Sequence, residues 1–184
     1  MQDHPFDRFA AATALNALGL SALNRELADV WLALWQGGNL PARGAISPKA
    51  LVKFLPGLAI MDIHAGGRVR FRIAGKSFRA AFGFDPSSHD MLALTPPAQR
   101  KARFERCVEI VEGTVSTGIR TMPGGATSGF ISQDVMLPLG GVAEDGARSW
   151  LFHSSWRPRA DDWARSLPQG ALGMIDSYTA HALR

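Results

Sequence analysis

Three histidines are the side chains best suited to acid–base chemistry or metal binding: His64, His89 and His153. No two of them have the His-x-x-x-His spacing of a helical metal site, and no His-Glu helix motif occurs. We therefore expect surface or hydrogen-bonded histidines and no metal site. A small-molecule enzyme that uses His64 or His153 is one alternative.

The chain contains one cysteine, Cys107. A single cysteine excludes a disulfide framework and any zinc or iron–sulfur site built from several cysteines. Cys107 falls within a predicted long helix, next to an apolar stripe that runs from Phe104 to Val111. A buried free cysteine usually packs as a small hydrophobic side chain, and this is the role we expect.

Serines, glycine pairs and carboxylates give no catalytic motif. None of four serines lies in a Gly-x-Ser-x-Gly motif: Ser128, Ser132, Ser154 and Ser155. Gly124-Gly125 and Gly140-Gly141 precede predicted strands, so they indicate turns and not phosphate-binding loops. No spacing forces Asp62 and Asp134 together, and we expect each to have a structural role opposite an arginine.

Arginines alternate with apolar residues along one predicted strand, at Arg68, Arg70 and Arg72. Such a face could contact an anion, a nucleotide or a nucleic acid. Base-stacking aromatic residues are missing from it, which disfavours nucleic acid as a partner. The net charge of +4 permits an acidic partner without indicating one, so a weak nucleic-acid binder is the second functional alternative. We expect an outer sheet face that pairs with Asp62 across a hairpin, with Arg72 the most deeply buried.

The elements that position these residues follow from periodicity. The length of 184 residues, with 46% hydrophobic and 20% charged residues, predicts one folded domain. No apolar run approaches 18 residues, so no membrane-spanning helix is expected. Helical signals cover a first helix to about 18, then 20–36, a short helix from 48, 76–83 and 96–112. Strand signals cover 58–64, 68–74, 114–122, 130–139 and 147–156, and the pattern turns helical again after 158.

This order predicts an α+β domain: a five-stranded antiparallel sheet with helices on one face and an N-terminal helical extension. The long helix must cover one face of the sheet, and a concave space beneath it could hold a small apolar or aromatic ligand. Six residues are candidates for lining that space: Phe71, Phe78, Phe82, Phe104, Val108 and Phe152. Asp62 and Arg72 are polar candidates, either structural or facing the space.

The second helix carries a long apolar stripe: Leu23, Leu27, Val30, Trp31, Leu34 and Trp35. Leaving such a stripe in water would be costly, at roughly 1.5–3 kcal/mol for each large side chain. It must therefore dock on its own sheet, on a second copy of the chain, or on both. Docking across the arginine face would bring Glu26 or Asp29 near Arg70 or Arg72.

Scattered residues in this order resemble the PAS domain superfamily, and most closely the short stand-alone PAS-like proteins common in alphaproteobacteria. They are Trp31 with Trp35, 37–43 (GGNLPAR), 55–56 (LP), 71–75 (FRIAG), 82–83 (FG) and 137–139 (LPL). The family usually has Thr where Lys76 stands, and a different segment at 84–87. The resemblance implies a sensory or regulatory module with a pocket between sheet and helix. It implies no known ligand.

The resemblance also bears on cofactors. Related photosensors attach flavin to a cysteine within a characteristic stretch, which the neighbours of Cys107 do not match. Haem-binding relatives commonly use a histidine of the long helix, and residues 96–113 contain none. We therefore expect neither a flavin–cysteine adduct nor histidine-ligated haem, and no other cofactor.

Taken together, we expect a cytoplasmic, non-enzymatic regulatory protein that acts through a protein partner. Its predicted parts are an N-terminal helical extension (1–36), a PAS core (37–157) and a C-terminal helical segment (158–184). In PAS-like proteins a flanking helix often packs on the outer sheet face and forms a dimer contact. We accordingly expect a homodimer built by residues 20–36, with purely intramolecular docking as the alternative.

Overall fold

The computed structural model describes residues 6–122, 130–158 and 175–183. Within these ranges the α-helices are α1 (Arg8–Ala17), α2 (Ala22–Ala33), α3 (Pro48–Leu51), α4 (Lys76–Phe82) and α5 (Pro97–Val111). The strands are β1 (Leu58–Ile63), β2 (Val69–Ala74), β3 (Thr114–Met122), β4 (Phe130–Pro138), β5 (Arg148–Pro158) and β6 (Ile175–Ala182). These bounds follow the predicted elements closely up to β5.

The strands form one antiparallel sheet in the order β2-β1-β5-β4-β3-β6. The sheet therefore has six strands, and the prediction of five is wrong. The error lies in the C-terminal segment, which we predicted to be helical. There, Ile175–Ala182 pairs with β3 and satisfies backbone groups at its edge. The part of the predicted helical segment from 159 to 174, and the features Ser128 and Gly124-Gly125, lie outside the described residues.

Local signals set the helix ends. The carboxylate of Asp7 accepts a hydrogen bond from the backbone N–H of Phe9 at 2.9 Å, which caps α1. Pro48 and Pro97 open α3 and α5, at the position where a missing N–H costs nothing. Gly83 ends α4 in the left-handed conformation, at φ +75°, which glycine adopts without strain.

Helices α1, α2 and α3 cover one face of the sheet. Leu27 and Trp31 of α2 are completely buried there, against side chains such as Val135 and Leu151. The indole N–H of Trp31 donates a hydrogen bond to the carbonyl of Pro138 at 2.8 Å. The predicted apolar stripe is thus docked on the chain's own sheet.

Helices α4 and α5 cover the opposite face. Because α1 to α3 cover the first face, helices lie on both faces of the sheet. The core on this side joins Phe78 of α4 and Ile110 of α5 to Met61, Phe71 and other strand residues. Because successive side chains of a strand point to opposite faces, the central strands supply both cores. The expectation that the long helix covers one face is confirmed.

The arginine face is not crossed by α2, because α2 packs on β4 and β5 while the arginines lie on and beside β2. The predicted contacts of Glu26 or Asp29 with these arginines are therefore wrong. Glu26 instead forms an ion pair with Lys53, and Arg70 lies 3.7 Å from the carboxylate of Asp145.

Truncation of Leu27 tests whether α2 belongs to the cooperative core. We expect Leu27→Ala to lower the free energy of unfolding by about 2–5 kcal/mol, because it leaves a cavity at a fully buried site. Urea unfolding measures this. The control is Leu55→Ala at a residue that is 45% exposed, where we expect a loss below about 1 kcal/mol. Equal losses in the two variants would contradict the docking of α2.

Candidate functional site

A cavity of about 40 Å³ lies between α4, α5 and the sheet. Aromatic side chains form most of its wall: Phe71, Phe78, Phe82, Trp150 and Phe152. Methionines and an aliphatic residue form another part: Met61, Met91, Met136 and Ile110. The wall is completed by Cys107, Tyr178, Arg103 and Arg106. The cavity is therefore apolar, except for a polar margin formed by Arg103, Arg106 and Tyr178.

Strand alternation places the aromatic residues. Trp150 and Phe152 are separated by one residue on β5, so both face the cavity, while Leu151 between them faces α2. The ring of Phe78 lies 5.3 Å from that of Phe152 and 5.6 Å from that of Phe71, measured between centroids. These are ordinary spacings for packed aromatic pairs, so the rings form a fixed wall.

Helix α5 turns a different face to the cavity than we predicted. Arg103, Cys107 and Ile110 line the wall, whereas the candidates Phe104 and Val108 only pack beside the core. The prediction assigned the helix face by apolar residues alone. That criterion does not consider Arg103, although an arginine stem packs well against apolar surface. The other aromatic candidates, Phe71, Phe78, Phe82 and Phe152, do line the cavity.

Cys107 is buried in the wall of the cavity, as expected of a small hydrophobic side chain. Burial raises the pKa of its thiol to about 12, although nearby Arg103 and Arg106 act in the opposite direction. The thiolate is the reactive form of cysteine. The site therefore holds Cys107 as a neutral thiol.

Tyr178 of β6 forms the polar margin together with α5. The guanidinium of Arg106 lies over its ring, 4.7 Å from the centroid. The Tyr178 hydroxyl is buried and meets no hydrogen-bond partner among the described residues, and the same holds for the hydroxyl of Ser116. Burial raises the pKa of Tyr178, so the group is a neutral phenol that can donate a hydrogen bond. Ser116 lies close enough to oppose this shift, but outside hydrogen-bond geometry.

Sequence reasoning missed Tyr178 because it lies in the segment that we predicted to be helical. It also missed Arg103, Arg106 and the three methionines of the wall. Strand pairing is the signal that could have found Met61 and Met136. Met61 pairs with Phe71 and Met136 pairs with Phe152, on strands that the sequence places correctly, so each shares a face with a predicted lining residue. Met91 lies outside the strands.

The two aspartates occupy opposite faces of the sheet and form no carboxylate pair. Asp62 accepts hydrogen bonds from Arg72 at 3.1 Å and from the Ser149 hydroxyl at 2.7 Å. The predicted pairing of Asp62 with Arg72 is therefore present. The expected burial of Arg72 is wrong, because its side chain is 39% exposed and only Asp62 is fully buried.

Asp134 is also fully buried, on the face that carries the cavity. One of its oxygens accepts hydrogen bonds from Ser154 at 2.6 Å and from Ser132 at 3.0 Å. Two of the serines considered as nucleophiles are thus engaged in a hydrogen-bond cluster that joins β4 to β5. Neither faces a histidine in these contacts.

His153 is buried on the opposite face, beneath α2. Its Nδ1 lies 2.6 Å from the Asn24 side-chain oxygen, and its ring packs edge-on against Phe54. Burial lowers the pKa of His153 to about 4. The imidazole is therefore neutral near pH 7 and sealed in the core. His64 lies 3.9 Å from the carboxylate of Asp145, and His89 is exposed beside Phe84.

The comparisons with known proteins now decide the family. A family model described as PAS domain matches residues 21–146, more than half of the chain. The chain belongs to the PAS domain family. No protein with curated annotation matches it.

Solved structures with a similar backbone are themselves PAS or LOV domains. The LOV protein of Rhodobacter sphaeroides is 14% identical, with a TM-score of 0.40, over 62% of this chain and 70% of that one. The PAS domain of an HTR-like protein from Haloarcula marismortui is 15% identical, with a TM-score of 0.38, over 59% and 88%. The light state of the photoreceptor Aureochrome1 LOV is 16% identical, with a TM-score of 0.39, over 65% and 94%. Family membership rests on the family match and not on these scores.

Within the described residues, no helix combines the length and apolarity that crossing a bilayer requires. No cluster of three or more histidine, cysteine or acidic side chains there could hold a metal ion.

The buried histidine predicts a pH dependence of stability. Because the pKa of His153 falls from 6.5 to about 4 on folding, the unfolded chain takes up a proton first as the pH drops. Its contribution to stability is fully present above pH 6.5 and is lost progressively down to about pH 4. The loss is on the order of 3 kcal/mol. Urea unfolding at several pH values measures it.

A His153→Gln variant removes this titration. The substitution also disturbs packing, and this cost is measured as the difference in the free energy of unfolding at pH 7.5, where the native histidine is neutral. We expect a flatter dependence between pH 6.5 and 4 than in the native chain. Parallel curves for the two proteins would show that His153 does not carry the effect.

Proposed function

We propose that this PAS domain is a sensory module that binds a small apolar ligand in the cavity between α5 and the sheet. The observation that supports it is the cavity itself, with a wall of aromatic, thioether and thiol side chains. The composition of this wall, mostly apolar and aromatic with a few polar groups, is typical of ligand sites. Methionine side chains are flexible and polarisable, so the wall can adapt to its occupant.

The volume sets the size of the ligand. The cavity of about 40 Å³ is small, so it suits a small apolar group. An intact flavin or haem is far larger than this cavity, whose wall includes the packed rings of Phe71, Phe78 and Phe152. The small volume supports the proposal that the domain works without either cofactor.

We further propose a regulatory role without catalysis, in the cytoplasm, with output through a protein partner. His153 is sealed under α2, and Ser132 and Ser154 are hydrogen-bonded to Asp134. These contacts disfavour the enzyme alternative that uses His153. Turnover that is lost on His64→Ala would favour the alternative instead.

A homodimer through α2 is a separate proposal. Leu27, Trp31 and Trp35 are buried against the chain's own sheet, so they are accounted for without a partner. Leu23, Val30 and Leu34 are only half-buried, and they are the part of the stripe that a second copy could cover.

Light scattering of two variants tests the dimer. We expect the native chain to be dimeric, and Val30→Asp combined with Leu34→Asp to be a folded monomer, because charges would be placed in an apolar contact. The control is Val142→Asp, a change at a residue that is 65% exposed and outside α2, which should remain dimeric. A native chain that is monomeric at every concentration would refute the proposal.

Xenon binding tests the cavity. Xenon enters apolar cavities and needs no polar contact. We expect xenon to perturb the NMR signals of the Met61 and Met136 methyl groups, and Cys107→Leu to abolish this by filling the space. The control is Val108→Leu, which adds bulk on the same helix outside the wall. Loss of binding in both variants, or in neither, would contradict ligand binding at this site.

A further inference from the structure

We propose that the ligand is a short-chain monocarboxylate, with its hydrocarbon tail in the cavity and its carboxylate at Arg103, Arg106 and Tyr178. This inference rests on the proposed function and names the class of ligand for the same cavity. Three features of the polar margin support it: the position of Arg103 and Arg106, the buried hydroxyl of Tyr178, and the charge of the side chains around these groups.

Arg103 and Arg106 lie between two cavities. Both line the apolar cavity, and both also line a second, more polar cavity of about 190 Å³ that touches Gln99 and Ala102 of the same helix. Arg103 is only 6% exposed, and Arg106 is half-buried. A ligand whose tail occupies the apolar side would therefore present its other end to two guanidinium groups. Guanidinium is the side-chain group whose geometry best matches a carboxylate.

Tyr178 supplies a third donor at the same place. Its hydroxyl is buried without a hydrogen-bond partner among the described residues, and its ring is stacked under Arg106. A buried polar group normally has a partner. The phenol can only gain a charge-assisted bond from an acceptor on the ligand, since burial keeps it protonated.

The charge of the surroundings favours one negative charge on the ligand. The carboxylate of Glu109 lies close enough to Tyr178 to raise its pKa. An anion therefore already shares this region with the two arginines. A monocarboxylate suits it better than a phosphate dianion, which also has no tail for the apolar cavity.

The small volume of the cavity favours a short tail. A cavity of about 40 Å³ suits the chain of butyrate better than the single methyl group of acetate or the longer chain of hexanoate. An optimum in chain length therefore distinguishes a bound tail from a carboxylate held only by charge at the surface.

Titration of the native chain carrying ¹³C-methyl methionine tests the proposal. Butyrate should shift the methyl signals of Met61, Met91 and Met136, and should bind about tenfold more tightly than 1-butanol, which has the same tail without the charge. Acetate and hexanoate should bind more weakly than butyrate. Inorganic phosphate should not displace butyrate.

Two variants separate the polar contacts from the cavity. Arg106→Gln and Tyr178→Phe should each weaken butyrate binding, by about tenfold and several-fold respectively, and leave the binding of xenon, which makes no polar contact, unchanged. The control is Lys101→Gln, which makes the same charge change on α5 at a side chain that is 88% exposed. It should leave butyrate binding unchanged.

The possible results distinguish the two proposals. If xenon and 1-butanol bind but butyrate binds no more tightly than 1-butanol, the carboxylate is wrong and the apolar ligand site stands. If phosphate competes with butyrate, or if Lys101→Gln weakens binding as much as Arg106→Gln, the carboxylate proposal is also overturned. If no ligand of the series perturbs the methionine methyls and xenon does not bind, both proposals fail.

Discussion

The alternation of side chains along the two central strands is the constraint on which the structure depends. Strands β4 and β5 are covered on both faces, so neighbouring residues serve different cores. On β5, Trp150 and Phe152 form part of the cavity wall. Leu151 and His153 lie on the opposite face, which α1 to α3 cover. A shift of one residue in the pairing would exchange these two sets completely.

The two faces use polar groups differently. On the α2 face, Asn24 lies at hydrogen-bond distance from His153 and donates to the backbone of β4, which ties α2 to the sheet, although the indole N–H of Trp35 on this face has no partner among the described residues. On the other face, Ser132 and Ser154 are hydrogen-bonded to Asp134, whereas Tyr178 and Ser116 have buried hydroxyls without partners among the described residues. These two hydroxyls lie on the face of the proposed ligand site.

Many features could be predicted from the sequence because they are local. The hairpin of β1 and β2 followed from alternating residues, and α5 from its proline start and its length. The pairing of Asp62 with Arg72 followed from their places across that hairpin. Strand β6 was missed because Ala180 and Ala182 suit a helix, and pairing with β3 outweighs that preference. The face of α5 was misassigned because Arg103 buries its stem.

The sequence by itself therefore determined the family, the order of elements up to β5, and most of the aromatic residues of the cavity wall. Periodicity and turn residues act within a few positions of the chain, so one sequence suffices to read them. Only the tertiary structure decided which α5 residues face the sheet and that Tyr178 joins Arg103 and Arg106 at the cavity. Tyr178 reaches the arginines only because β6 pairs with β3 at the edge of the sheet. This pairing joins residues more than 50 positions apart, and no local sequence pattern encodes such a contact.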